Sequence, residues 1–202
     1  MAYRDFTLER ATRTLGVTIR EVDLFEAVAP IDVPAWLRET LGKRTQLMLL
    51  SEKARSEFIV APVLLTSRDL SPTPLSIYSG HRFDVDPGRG LVGECDFILA
   101  ASEPVPPLRA PIVTLVEAKR NDIELGLGQC IAQMAAAAQF NREAGDPGPV
   151  FGCVTTGEVW QFLRFDEPTA LIDRRRYYLS DLPAILGALQ ATIARPDATP
   201  PK

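Results

Sequence analysis

The stretch "PIVTLVEAKRND", residues 111–122, decides how this chain reads. It opens as a β-branched apolar run suited to the inside of a sheet, then sets Glu117 and Lys119 two residues apart before the run ends. Buried charge is costly unless it is paired, metal-bound or in contact with water. Side chains alternate along a strand, so Val113, Leu115, Glu117 and Lys119 are expected on one face, and Thr114, Val116 and Ala118 on the other.

The segment before it carries a matching oddity. In "LVGECDFILAAS", residues 91–102, alternation sets Glu94, Asp96 and Ile98 on one face and Cys95, Phe97 and Leu99 on the other. If the two strands pair, Asp96 lies beside Glu117 and two carboxylates share a space with one amine. Close like charges raise each other's pKa unless a cation sits between them. Hard oxygen donors in this number suit Mg²⁺ or Mn²⁺, with Lys119 placed to orient a water or to stabilise transition-state charge.

Working outward, "PLSIYSGHRFDVD" (74–86) reads as a strand ending in a loop. Upstream, "TLERATRTLG" (7–16) and the long stretch 33–70 carry apolar residues at helical spacing, with Ser51 a candidate cap and Pro62 expected to kink or divide the helix. Downstream, the Ala-rich segment 124–145 reads as a helix stopped at Gly145. Two strands follow, 150–156 and 159–165, joined tightly at Gly157–Glu158; a last helix spans 180–194, with Ser180 its candidate cap. The expectation is one α/β domain over 1–202, whose three-strand meander argues against an all-parallel sheet, with a flexible tail at 195–202.

Composition narrows the chemistry. A net charge of −4 argues against coating nucleic acid by bulk electrostatics. Cys95, Cys130 and Cys153 form no CxxC pair and read as small buried hydrophobes in a reducing cytoplasm. No apolar run reaches the length of a membrane span. His81 is the only histidine and no GxSxG elbow accompanies it, so neither His-rich zinc chemistry nor a serine triad is expected. There is no P-loop, and "GLGQC" is too short for a dinucleotide fingerprint.

The pattern Asp96 … Glu117-Ala118-Lys119 resembles the PD-(D/E)xK nuclease superfamily, over residues 50–166. The resemblance implies a restriction-endonuclease-like mixed sheet of order α-β-β-β-α-β, flanked here by extra N-terminal helices and a C-terminal helix. It implies hydrolysis of DNA phosphodiesters with Mg²⁺ or Mn²⁺ held by Asp96, Glu117 and the carbonyl of Ala118. Glu57, from the preceding helix, would bind the metal through water or hold a second ion. Lys119 would serve the attacking water, and Gln129 would position the phosphate or the lysine. Many relatives dimerise to cut both strands, which implies a homodimer here. The sequence departs from the pattern at Cys95, where proline would precede the aspartate, and at Gln133, where exonuclease-like members often carry tyrosine.

Each residue also has a plainer reading. Glu57 fits a helix surface, and Gln129 and Gln133, one turn apart, fit a polar stripe. Arg120 could meet a phosphate or be a solvated loop residue. Arg174–Arg176 beside Tyr177 and Tyr178 mixes basic and aromatic groups as single-strand binders do, but suits an ordinary loop better. Trp160 is expected in the core. A catalytically inactive interaction or scaffold protein on the same fold is the alternative function.

Overall fold

The computed structural model describes residues 1–194, the side chain of Thr45 excepted; the expected tail at 195–202 lies outside the described residues. Eight strands form one mixed sheet in the order β1-β7-β6-β5-β4-β3-β2, with β8 paired to β6. The meander expected from the alternating segments is present: β2 (Ser76–Arg82), β3 (Glu94–Ala100) and β4 (Ile112–Ala118) pair antiparallel in turn. The helix α5 (Glu124–Glu143) then crosses over to β5 (Val150–Thr155), which runs parallel to β4. A turn through Gly157 leads to β6 (Val159–Asp166), antiparallel to β5.

Three strands are additions to the expected set. β1 (Thr18–Val22) pairs parallel with β7 (Thr169–Asp173), and the two-residue β8 (Tyr177–Tyr178) pairs with β6. The region read as one long helical stretch also divides. It contains α2 (Ala35–Gly42), a 3₁₀ turn (Lys43–Gln46), a non-helical segment 47–51, then α3 (Glu52–Arg55), a π turn (Ser56–Val60) and α4 (Ala61–Asp69). Ser51 is the cap expected, its Oγ accepting from Ala54 N–H at 3.0 Å. Pro62 does not break the helix. Its ring would clash with the carbonyl four residues back, and the backbone widens just before it, with Ala61 N–H reaching Ser56 O.

Helices α1 (Leu8–Leu15) and α5 cover one face of the sheet; α2, α4 and α6 (Leu182–Ala194) cover the other. Because α5 lies between the sheet and α1, it is buried on most sides, which accounts for its small apolar residues. Trp160 is fully buried, its indole N–H donating to Gly157 O at 3.0 Å. The three cysteines are buried and free. Among the described residues no helix is long and apolar enough to cross a membrane.

Strict alternation fails at two places that matter. Between β3 and β4 the register shifts: Leu99 faces Thr114 but Ala100 faces Ile112, leaving Val113 as an extra residue. Ile112 and Leu115 accordingly pack on the α5 side while Val113 and Val116 pack on the α6 side, and Thr114 bonds Thr192 of α6. Val113 therefore leaves the face expected to hold Leu115 and Glu117. On β3, Cys95 and Ile98 both join the α5-side core, and Phe97 and Leu99 the other, so the phase slips around Asp96. The slip coincides with Gly80, which lies between the Ser79–Phe97 and His81–Cys95 pairs with φ at +59°, a left-handed value that glycine adopts without strain.

Candidate active site

The pairing of Phe97 with Val116 brings the next residues, Asp96 and Glu117, to the shared end of β3 and β4. Asp96 Oδ2 accepts the backbone N–H of Ala118 at 2.7 Å, which fixes the carboxylate against the strand end. Glu117, only 2 % exposed, turns toward α5. Its Oε1 accepts from Lys119 Nζ at 2.7 Å and its Oε2 from Gln133 Nε2 at 2.8 Å. Lys119 Nζ also donates to Gln129 Oε1 at 3.0 Å. Gln129 and Gln133, one turn apart on α5, thus face inward and meet the ExK pair directly. Both are buried rather than part of a solvated stripe.

This contact needs α5 to start close to the strand end. A Cβ built on Gly126 would lie 2.5 Å from Val154 Cγ1 and 3.1 Å from Lys119 Cγ. The glycines of "GLGQC" therefore serve close packing, not a phosphate loop.

The electrostatics follow from crowding carboxylates away from water. Burial, then the neighbouring Asp96, pushes the Glu117 carboxyl up to about 7, against the pull of Lys119 and Gln133. Asp96 is raised as well, by burial first; the Ala118 N–H and Lys119 oppose this, and Glu52 and Glu94 add to it. For Lys119, burial works against the charge, but Glu117, Glu52 and Asp96 outweigh it and hold the amine above its ordinary pKa.

Asp96 and Ala118 open onto a cleft of about 470 Å³ whose acidic lining also includes Glu52, Glu57 and Glu94. Glu57 borders this cleft from the π turn, with its side chain 55 % exposed and 3.8 Å from Lys53 Nζ. Glu52 and Glu94, which sequence reasoning left out, are the outlying carboxylates that bear on Asp96. Glu52 is the first residue of α3, directly after its Ser51 cap; that capping signal was the one available clue. Arg120 is exposed beside the strand end, and its carbonyl accepts from Arg55 Nη1 at 2.7 Å. Arg55 also reaches Leu49 O at 3.1 Å and Thr156 O at 3.4 Å, fastening three loops together at this end of the sheet.

The "DRRRYY" arginines are all paired. Arg174 bonds Asp23 at 2.9 Å, Arg175 bonds Asp181 at 3.2 Å and stacks over Tyr177, and Arg176 pairs with Glu124. This favours the structural reading of that run.

The donor set suits a hard divalent cation in its chemistry: desolvated carboxylates with raised pKa outnumber the single amine. Among the described residues, however, no three His, Cys, Asp or Glu side chains stand together at ligand spacing. Both Glu117 oxygens hold protein donors, whereas Asp96 Oδ1 has none among the described residues. The sequence matches no known family model and no curated protein.

Proposed function

We propose that this chain is a metal-dependent DNA phosphodiesterase of the PD-(D/E)xK type. The observation that carries the reading is the arrival of Asp96 and Glu117 at the shared end of two paired strands, Asp96 on the acidic cleft and Glu117 on the α5 side with the Lys119 amine bonded to it. The succession α4-β2-β3-β4-α5-β5, with β2–β4 a meander and β5 parallel to β4, supports a restriction-endonuclease-like core.

On this reading Asp96, Glu117 and the carbonyl of Ala118 hold Mg²⁺ or Mn²⁺, with Glu52 and Glu94 as the neighbouring acidic groups. The bound ion supplies Lewis acidity to a phosphoryl oxygen and lowers the pKa of a water. Lys119, kept protonated by its carboxylate neighbours, donates to developing phosphoryl charge, and Gln129 holds the amine in position. Gln133 orients Glu117 by occupying Oε2. DNA is the substrate, and the three free cysteines fit a reducing cytoplasm.

The test is incubation with plasmid, linear and single-stranded DNA in Mg²⁺ or Mn²⁺. Cleavage is expected to fall at least 100-fold in Lys119→Ala, in line with loss of an electrostatic stabiliser. No cleavage by the wild type, or equal cleavage by the variant, removes the reading.

One observation favours an inactive scaffold on the same fold: Glu117 has both oxygens satisfied within the protein. That alternative expects no divalent binding in calorimetry. Binding that Asp96→Asn abolishes counts against it.

A further inference from the structure

Glu94 borders the acidic cleft and also a second cavity, of about 340 Å³, whose polar lining includes Arg4, Arg82 and Gln129. We propose that this cavity seats a phosphodiester of the DNA strand adjacent to the one being cut, with Arg4 and the Gln129 amide donating to its oxygens and Arg82 adding positive charge. The proposal rests on the nuclease reading and assigns the path of the strand.

Gln129 supplies the first argument. Its carbonyl is committed to Lys119, and its amide nitrogen has no acceptor among the described residues although the side chain is only 8 % exposed. The nitrogen is not sealed from solvent as the Gln133 carbonyl is. A donor held in a nearly buried side chain that lines a cavity calls for an acceptor from outside the protein.

Arg4 supplies the second. Its guanidinium makes no hydrogen bond or ion pair among the described residues, yet the backbone carrying it is pinned. Tyr3 is buried, its hydroxyl donates to Phe83 O at 2.8 Å and its N–H to Val92 O at 3.0 Å. A free cation on a fixed support is prepared to meet an anion at little ordering cost. Arg82 is bonded to Asp84, but that pair is exposed and weak enough for a phosphate to compete with it.

The ligand chemistry follows from the donors. Two guanidinium groups and an amide match the oxygens of a phosphodiester, the usual partner of arginine and amide donors on a nucleic acid. A strand laid across the ends of β3 and β4 would contact the cleft and this cavity on either side of Glu94, with Gln129 linking the cavity to Lys119. Glu94 is the one carboxylate lining the cavity, and it opposes such a strand.

The experiment measures binding of a short labelled DNA strand to the full chain in EDTA, by fluorescence anisotropy over a salt series. Arg4→Ala and Arg82→Ala are each expected to weaken binding about 3- to 10-fold, and to reduce the slope of log K against log salt by about 0.7–0.9. Arg4→Lys should retain most of the slope, and Arg109→Ala, an exposed arginine in the β3–β4 loop, should match the wild type. Glu94→Gln should tighten binding. Wild-type affinity and slope in both alanine variants, or weaker binding by Glu94→Gln, would overturn the subsite while cleavage by the wild type left the nuclease reading standing. A wild type that neither binds nor cuts DNA removes both.

Discussion

Asp96 Oδ2 and the backbone N–H of Ala118 lie 2.7 Å apart, so the acid of one strand is fastened to the main chain between the two charged residues of the next. That bond holds a carboxylate beside Glu117 without a cation of its own. The site is consequently under electrostatic load before any ligand arrives.

The load sets a pH dependence. Glu117 is raised from 4.5 to about 7, so between those values the folded protein holds a proton that the unfolded chain has released. This contribution to stability is complete below about pH 4.5 and disappears as the pH climbs through about 7. In urea titrations between about pH 4.5 and 8, the wild type should lose on the order of 2–3 kcal/mol more than Glu117→Gln. Parallel curves for the two proteins would show that another group is responsible.

Gln133 is fully buried and gives Glu117 Oε2 its only donor among the described residues. Gln133→Leu should destabilise the fold by about 1–3 kcal/mol at pH 8, where the orphaned oxygen is charged, and by less at pH 5. Denaturant midpoints at the two pH values check this. An equal loss at both would point to packing alone.

Glu52 and Glu57 separate two versions of the site. Glu57 is more than half exposed and lies near Lys53, whereas Glu52 acts on both Asp96 and Lys119. Cleavage by Glu57→Ala should stay within about twofold of wild type, while Glu52→Ala should cost about tenfold and demand more Mg²⁺. Initial rates across a metal titration decide it; the reverse ranking would make Glu57, as the sequence pattern implies, the acid that serves the metal.

Gly126 is tested by adding one methyl. Gly126→Ala would force the start of α5 away from Val154 and Lys119, with a loss of about 1–3 kcal/mol and reduced cleavage. Gly42→Ala is the control: nothing lies within 4 Å of its added Cβ, so it should be neutral or stabilise by up to about 1 kcal/mol. Thermal melts compare the two, and similar behaviour would argue against steric closeness at Gly126.

The central strands and α5 were legible because their signals are local: alternation, tight turns and an uninterrupted Ala-rich segment. β1 was not, because it is five residues long and its partner β7 is remote in sequence, so no window contains both; β7 follows β6 through the tight turn at Glu167–Pro168 but is itself only five residues long. Leu47–Leu50 reads as helix by hydropathy, yet Leu47, Met48 and Leu50 are exposed and Leu49 alone packs on the core. That Asp96, Glu117 and Lys119 reach one end of the sheet could be read from strand pairing and spacing; that Asp96 lines the cleft while the other two face α5 could not, because the phase slips around Asp96. Glu52 could not, since the π turn before Pro62 disturbs the 3.6-residue count on which helix-face arguments depend.

Val113 has a consequence for what β4 can lose without turning its charged end. As the surplus residue of β4 it works as a parity switch, letting Ile112 and Glu117 point the same way although an odd number of steps separates them. Removing that single residue would leave four steps between them, so strict alternation alone would keep Glu117 facing α5 and both glutamines within its reach. The bulge is therefore slack in β4, taken up without changing where its acid points.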